Sequence, residues 1–190
     1  LDRYIFRTLE NRSDMPDIYQ NSVKDNLRRL GRSYKKPIPY DHSHYPDLRF
    51  KFTGSRSIEC NYSQCYQDMF VLSMLNGKRN GTFVEIGCDD AYFNSNTALL
   101  EKVFGWTGIS IDISEDKIRK FKTQRKSSTI AMDALKIDFK TLLTEDRYDY
   151  LQVDCEPAHT SFMILQRIPL DRVKFGVITF EHDNYCDEDK

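Results

Sequence analysis

The sequence predicts an α/β fold: a doubly wound, mostly parallel sheet preceded by a mixed, irregular N-terminal extension. Three observations carry that expectation. From Asn61 onward, five short runs rich in Val, Ile and Phe alternate with segments of helical periodicity, the pattern of βαβ units joined by right-handed crossovers. Glycines and capping residues fall at the junctions between them. The length, 190 residues, suits one domain with a sizeable core.

The elements follow in order. Asp17–Leu30 carries Ile18, Tyr19, Val23, Leu27 and Leu30 at helical spacing. The next stretch, broken by Pro37, Pro39 and Pro46, reads as extended or looped, and its His42 and His44 read as surface residues for want of a third ligand. Asn61 and Gln64 have the spacing of a capping box and predict a helix to about Asn76, with Gly77 and Gly81 leading into a strand at Thr82–Ile86. Ser95–Phe104 is a helix ended by Gly105, and Gly108–Ile113 a second strand. Ser114 caps the following helix, with Glu115 and Asp116 in its first turn. Ser128–Met132 is a third strand and Asp138–Leu143 a short helix. Asp149–Cys155 is a fourth strand, Pro157 opens a helix to about Arg167, and Lys174–His182 is a fifth strand.

Composition narrows the function classes. A net charge of −1 disfavours nucleic acid as a partner of the whole chain. Residues 1–57 hold 12 Lys+Arg against 7 Asp+Glu, whereas 58–190 hold 16 against 22, so a basic extension precedes an acidic domain. No apolar run is long enough to span a membrane and no signal-like segment opens the chain. The cysteines, Cys60, Cys65, Cys88, Cys155 and Cys186, lack zinc spacing and read as free thiols of a reducing compartment, which predicts a cytoplasmic location. The chain opens on Leu1 rather than Met, so a trimmed or excised domain is expected, and the end at Lys190 is expected to reflect missing last elements or an incomplete domain.

In an open parallel sheet the ligand lies beyond the carboxyl ends of the strands, at the switch point in strand order. Each of the five predicted ends carries an acidic residue: Glu85, Asp112, Asp133, Asp154 and Glu181. The first turn, Gly87-Cys88-Asp89-Asp90-Ala91, has no second glycine and two carboxylates. A dinucleotide pyrophosphate wants bare amides and no negative charge there, so an oxidoreductase is disfavoured, and no P-loop is present. S-adenosylmethionine (SAM) instead brings a sulfonium and an ammonium, which suit an acidic turn. Asp112 is placed for the ribose hydroxyls and Asp133 for the adenine amino group.

Longer stretches carry a resemblance. "SQCYQDMFVLSMLNGKRNGTFVEIGCDDAYFNSNTALLEKVFGWTGISIDIS", "YDYLQVDCEPAHTSFMILQRIP" and "VKFGVITFEHDNY" resemble the FkbM-type family of SAM-dependent methyltransferases. The resemblance implies a SAM pocket lined by Glu85, Gly87, Asn96, Asp112, Asp133 and Asp154, with Asp89, Ile113 and Ala134 beside them. It implies methyl transfer to a hydroxyl of a small-molecule or sugar acceptor. The family often has Gly where this chain has Ala91, and its sheet continues past the fifth strand, so this sheet is expected to lack its last strands.

A hydroxyl acceptor calls for a base, and His182, Asp154 and Glu156 are the catalytic candidates. Each also has an ordinary reading: His182 as a surface residue, Glu156 as a helix cap, and His159 as exposed. An Asp154–Glu156–His182 set could suit Mg or Mn, but no metal is assigned. Cys88 and Cys155 follow adjacent strands and no activating cation accompanies them. Trp106 reads as a packing residue. The alternative function is a catalytically silent methyltransferase-like module whose basic extension holds an anionic partner.

Overall fold

The computed structural model describes residues 38–39 and 50–182. The expected helix at 17–30, His42, His44 and Cys186 lie outside the described residues. Five strands, β1 (Thr82–Ile86), β2 (Thr107–Asp112), β3 (Ser128–Ala131), β4 (Arg147–Val153) and β5 (Lys174–Phe180), form one sheet in the order β3-β2-β1-β4-β5. Every neighbouring pair is parallel. The order reverses between β1 and β4, which puts the switch point, and the crevice that goes with it, at the carboxyl ends of those two strands. Ile38–Pro39 separately pairs antiparallel with Cys60–Asn61.

The helices α1 (Gln67–Met74), α2 (Ala98–Phe104), α3 (Glu115–Lys122), α4 (Phe139–Leu142) and α5 (His159–Leu165) cover the sheet. Side chains alternate between the two faces of a strand, and partners in register share a face. Val84, Ile86, Ile111, Leu151 and Val153 pack on one face with Phe139 of α4 and Ile164 of α5. On the other, Phe83, Tyr150 and Val177 pack with Met69 and Leu72 of α1 and Leu99 and Leu100 of α2. Phe52 and Ile58 join this second cluster.

Several local expectations hold for the stated reasons. Gly105 ends α2 at φ 72° in the left-handed region. The Ser114 hydroxyl accepts the Lys117 amide at 3.3 Å and caps α3. Trp106 is fully buried, donates Nε1 to the Lys78 carbonyl at 2.7 Å, and leaves room at Gly81 for no side chain at all.

Two helix starts differ from expectation. Helix α1 begins at Gln67, after Tyr66 at φ 61°, and Asn61 does not cap it. Buried Asp68 reaches back instead, accepting from the amides of Tyr62 (2.8 Å) and Ser63 (3.3 Å) and from the Ser63 hydroxyl (2.6 Å). Burial raises the Asp68 pKa and these bonds oppose the rise. Helix α5 begins at His159 without a side-chain cap, so Glu156 does not serve as one. The turn before it is closed by Ser161, whose hydroxyl bridges the Cys155 amide and carbonyl at 2.8 and 3.2 Å.

Candidate functional site

The turn after β1 runs close over the end of β4. Gly87 has φ 83°, and a Cβ there would stand 1.8 Å from the Asp154 carbonyl oxygen. Glycine is therefore required by the approach of β4 as well as by the left-handed backbone. The amides that follow are already engaged. Those of Gly87 and Cys88 donate to the Ile111 carbonyl (2.8 and 3.1 Å), that of Asp89 to Asp112 Oδ2 (3.0 Å), and those of Tyr92 and Phe93 to Asp90 Oδ1 (2.9 Å each). A phosphate arriving here would meet amides turned to protein acceptors and two carboxylates.

Asp112 ends β2 and is held from both sides, since its Oδ1 accepts the Ser114 amide at 2.9 Å. Four lone-pair positions on a carboxylate leave it further accepting capacity. Ile113, the next residue, is 71% exposed, and Met132 at the end of neighbouring β3 is 46% exposed. Two apolar side chains standing in solvent at adjacent strand ends make a surface suited to a flat ring. Asp133 Oδ1 accepts the Leu135 amide at 3.0 Å, capping the short 3-10 turn that buries Ala134. Asp89 sits at φ 45° and its carboxylate pairs with Lys117.

Glu85 stands one residue below this rim. It is 1% exposed, and its oxygens accept from the hydroxyls of Thr97 (2.7 Å) and Ser110 (2.8 Å). Burial raises its pKa, and the Arg125 charge opposes that rise. Arg125 is itself buried. Nη1 donates to the Ala91 carbonyl (2.8 Å) and the Ser95 hydroxyl (3.2 Å), Nη2 to Thr97 Oγ1 (2.9 Å), and Nε lies 3.0 Å from Glu101 Oε1. Glu101 also accepts the amides of Lys126 and Ser127. This network fixes both ends of the 91–97 loop. Arg125 carries no local sequence signal, because nothing near it in the chain marks a guanidinium that reaches back this far.

Two amide side chains near Glu85 are left with an unpaired oxygen among the described residues: Asn96 Oδ1, in a side chain 4% exposed, and Gln152 Oε1, 2% exposed. The sequence signal for Gln152 is a polar residue inside the apolar run of "DYLQVDC".

At the ends of β4 and β5, Asp154, Glu156, Glu181 and His182 are at least partly accessible. The Asp154 amide donates to the Ile86 carbonyl and that of Glu181 to the Val153 carbonyl, so the two termini lie side by side at the switch point. The His182 ring meets Phe180 edge-on at 6.0 Å. Cys65, in the loop before α1, has its pKa raised by desolvation first and then by the carboxylates of Glu181 and Asp154. Cys88 is pushed up by burial and by Glu85 and Asp112. Cys155 is pushed up to about 12 by burial and by Asp154 and Asp112. These thiols stay protonated near neutrality and are poor nucleophiles. Among the described residues no three His, Cys, Asp or Glu side chains are grouped to hold a metal ion, and no helix is long and apolar enough to cross a membrane.

No family model and no curated protein matches the chain. Among solved structures, the chain is similar to the N-methyltransferase NodS from Bradyrhizobium japonicum WM9, with 17% identity and a TM-score of 0.38. That likeness covers 57% of this chain and 61% of the NodS chain.

Proposed function

We propose that the chain is a SAM-dependent methyltransferase of the FkbM type, transferring a methyl group to a hydroxyl oxygen of a small-molecule or sugar acceptor. One observation carries this reading: the first turn commits the amides of Gly87, Cys88, Asp89, Tyr92 and Phe93 to Ile111, Asp112 and Asp90, so they are not bare for a phosphate. Such a turn favours a cationic ligand over a phosphorylated one. Asp112 fits a ribose, since its carboxylate is held still by two amides and keeps accepting capacity. Ile113 and Met132 fit the faces of an adenine, with Asp133 and Ala134 at its edge. Asn96, Gly87, Asp89 and Asp154 border the other end. Bound SAM supplies a methyl group already activated on sulfur.

The protein's own part is then to position the acceptor and take its proton. His182, whose ring is steadied against Phe180, is the proposed general base. Asp154 and Glu156 stand on the neighbouring strand end, where they can orient an acceptor hydroxyl or the imidazole. Glu85 has its oxygens bound to Thr97 and Ser110, so its part is to position the loop over the crevice.

Isothermal titration with S-adenosylhomocysteine tests the cofactor. Micromolar binding is expected, and no binding by folded protein sinks the proposal. Turnover is tested with labelled SAM across a panel of hydroxyl acceptors, where His182→Ala should lower kcat by about 10²–10⁴. Binding without turnover on any acceptor would leave a silent methyltransferase-like module.

A further inference from the structure

Gln152 occupies the middle of β4, in register with Glu85 of β1 on one side and Thr179 of β5 on the other. All three therefore share a face of the sheet, and the next residue of β4 on that face is Asp154, at the switch point. Both lateral neighbours are committed elsewhere. Glu85 turns its oxygens to Thr97 and Ser110, away from β4, and Thr179 shares its hydroxyl with Tyr150 at 2.7 Å. Gln152 Oε1 is left buried with no partner among the described residues. A buried acceptor in that state costs stability until something donates to it. Asn96 Oδ1, next in the chain to the residue that binds Glu85, is in the same condition.

We infer that Gln152 is a specificity-determining residue of the cofactor crevice: its Oε1 accepts a hydrogen bond from the ammonium group of the bound amino-acid moiety. The inference rests on the SAM reading and deepens it. If Asp112 holds the ribose at the end of β2 and Ile113 and Met132 the base beyond it, the opposite end of the ligand lies over β1 and β4. That end carries a carboxylate, which only accepts, and an ammonium, which only donates. The described basic side chains nearby are committed elsewhere, Lys117 to Asp89 and Arg125 to Glu101 and the 91–97 loop, so the orphan acceptor in this row selects the ammonium.

The test compares S-adenosylhomocysteine with its des-amino analogue by titration calorimetry. Wild type should prefer the amine-bearing ligand. Gln152→Met keeps the length of the side chain and removes the acceptor. It should weaken S-adenosylhomocysteine binding about tenfold or more, leave the des-amino analogue within about twofold, and not lower the unfolding midpoint. Gln152→Glu, which keeps an acceptor oxygen, should retain the preference, and it carries the test if the Met variant does not fold. Equal loss for both ligands, or unchanged affinity for both, overturns the inference, the latter marking a site for a buried water only. Wild type that binds neither ligand overturns the SAM reading together with this one. Wild-type binding with no selective effect of the variants overturns this one alone.

Discussion

The two faces of the sheet are built from different materials. Beneath α4 and α5, Val84, Ile86, Ile111, Leu151 and Val153 make a purely apolar layer. Beneath α1 and α2 the layer is apolar only at its lower end, where Phe83, Tyr150 and Val177 sit. One register step closer to the crevice it becomes Ser110, Glu85, Gln152 and Thr179, all buried. The first face holds the protein together by removing apolar area from water. The second also holds the 91–97 loop, through directional bonds that apolar packing cannot supply. Stability and site geometry are thus partly separated between the faces, and substitutions can test that separation.

The largest effect is expected at Arg125. Arg125→Met leaves Glu101 and Glu85 buried without their counter-charge and should cost about 3–5 kcal/mol in denaturant unfolding. Leu151→Ala, on the apolar face, should cost about 3 kcal/mol through lost contacts and a cavity, yet leave S-adenosylhomocysteine affinity of the folded fraction unchanged. Loss of affinity in that variant would blur the contrast between the faces. Asp112→Ala should do the reverse, weakening that ligand by about 1–3 kcal/mol in titration calorimetry with a smaller change in unfolding. Ser114→Ala removes the cap of α3 and should cost about 1 kcal/mol.

The smallest effect concerns pH. Cys155, raised from 9.0 to about 12 in the folded chain, binds its proton more tightly there than when unfolded. Its contribution to stability is complete below about pH 9 and is lost as pH climbs through about 12. Cys155→Ser should flatten the alkaline fall in the unfolding midpoint over that window. An unchanged slope would remove Cys155 from the account.

Regular elements were legible in the sequence because their signals are local. The first strand runs over Thr82–Ile86 as expected, and the apolar runs of β2 to β5 shift by at most a few residues. Gly105 and Ser114 act on amides and carbonyls within one turn of themselves. The acidic strand ends were legible too, and with them the switch point.

What the side chains do at those ends was decided by tertiary structure. Glu85 reads in sequence like Asp112, yet sits a register row lower, bound to hydroxyls from α2's approach and from β2. Helix α1 starts without a side-chain cap, and Asp68 in its first turn binds the preceding loop instead, because that loop folds back over it. Gly87 is glycine mainly because β4, remote in the chain, passes within van der Waals reach. Sequence alone determined the order and type of elements, since periodicity and capping need only neighbours a few residues away. Which polar groups find partners, and which, like Gln152 Oε1, are left without one among the described residues, was settled only when distant strands came into register.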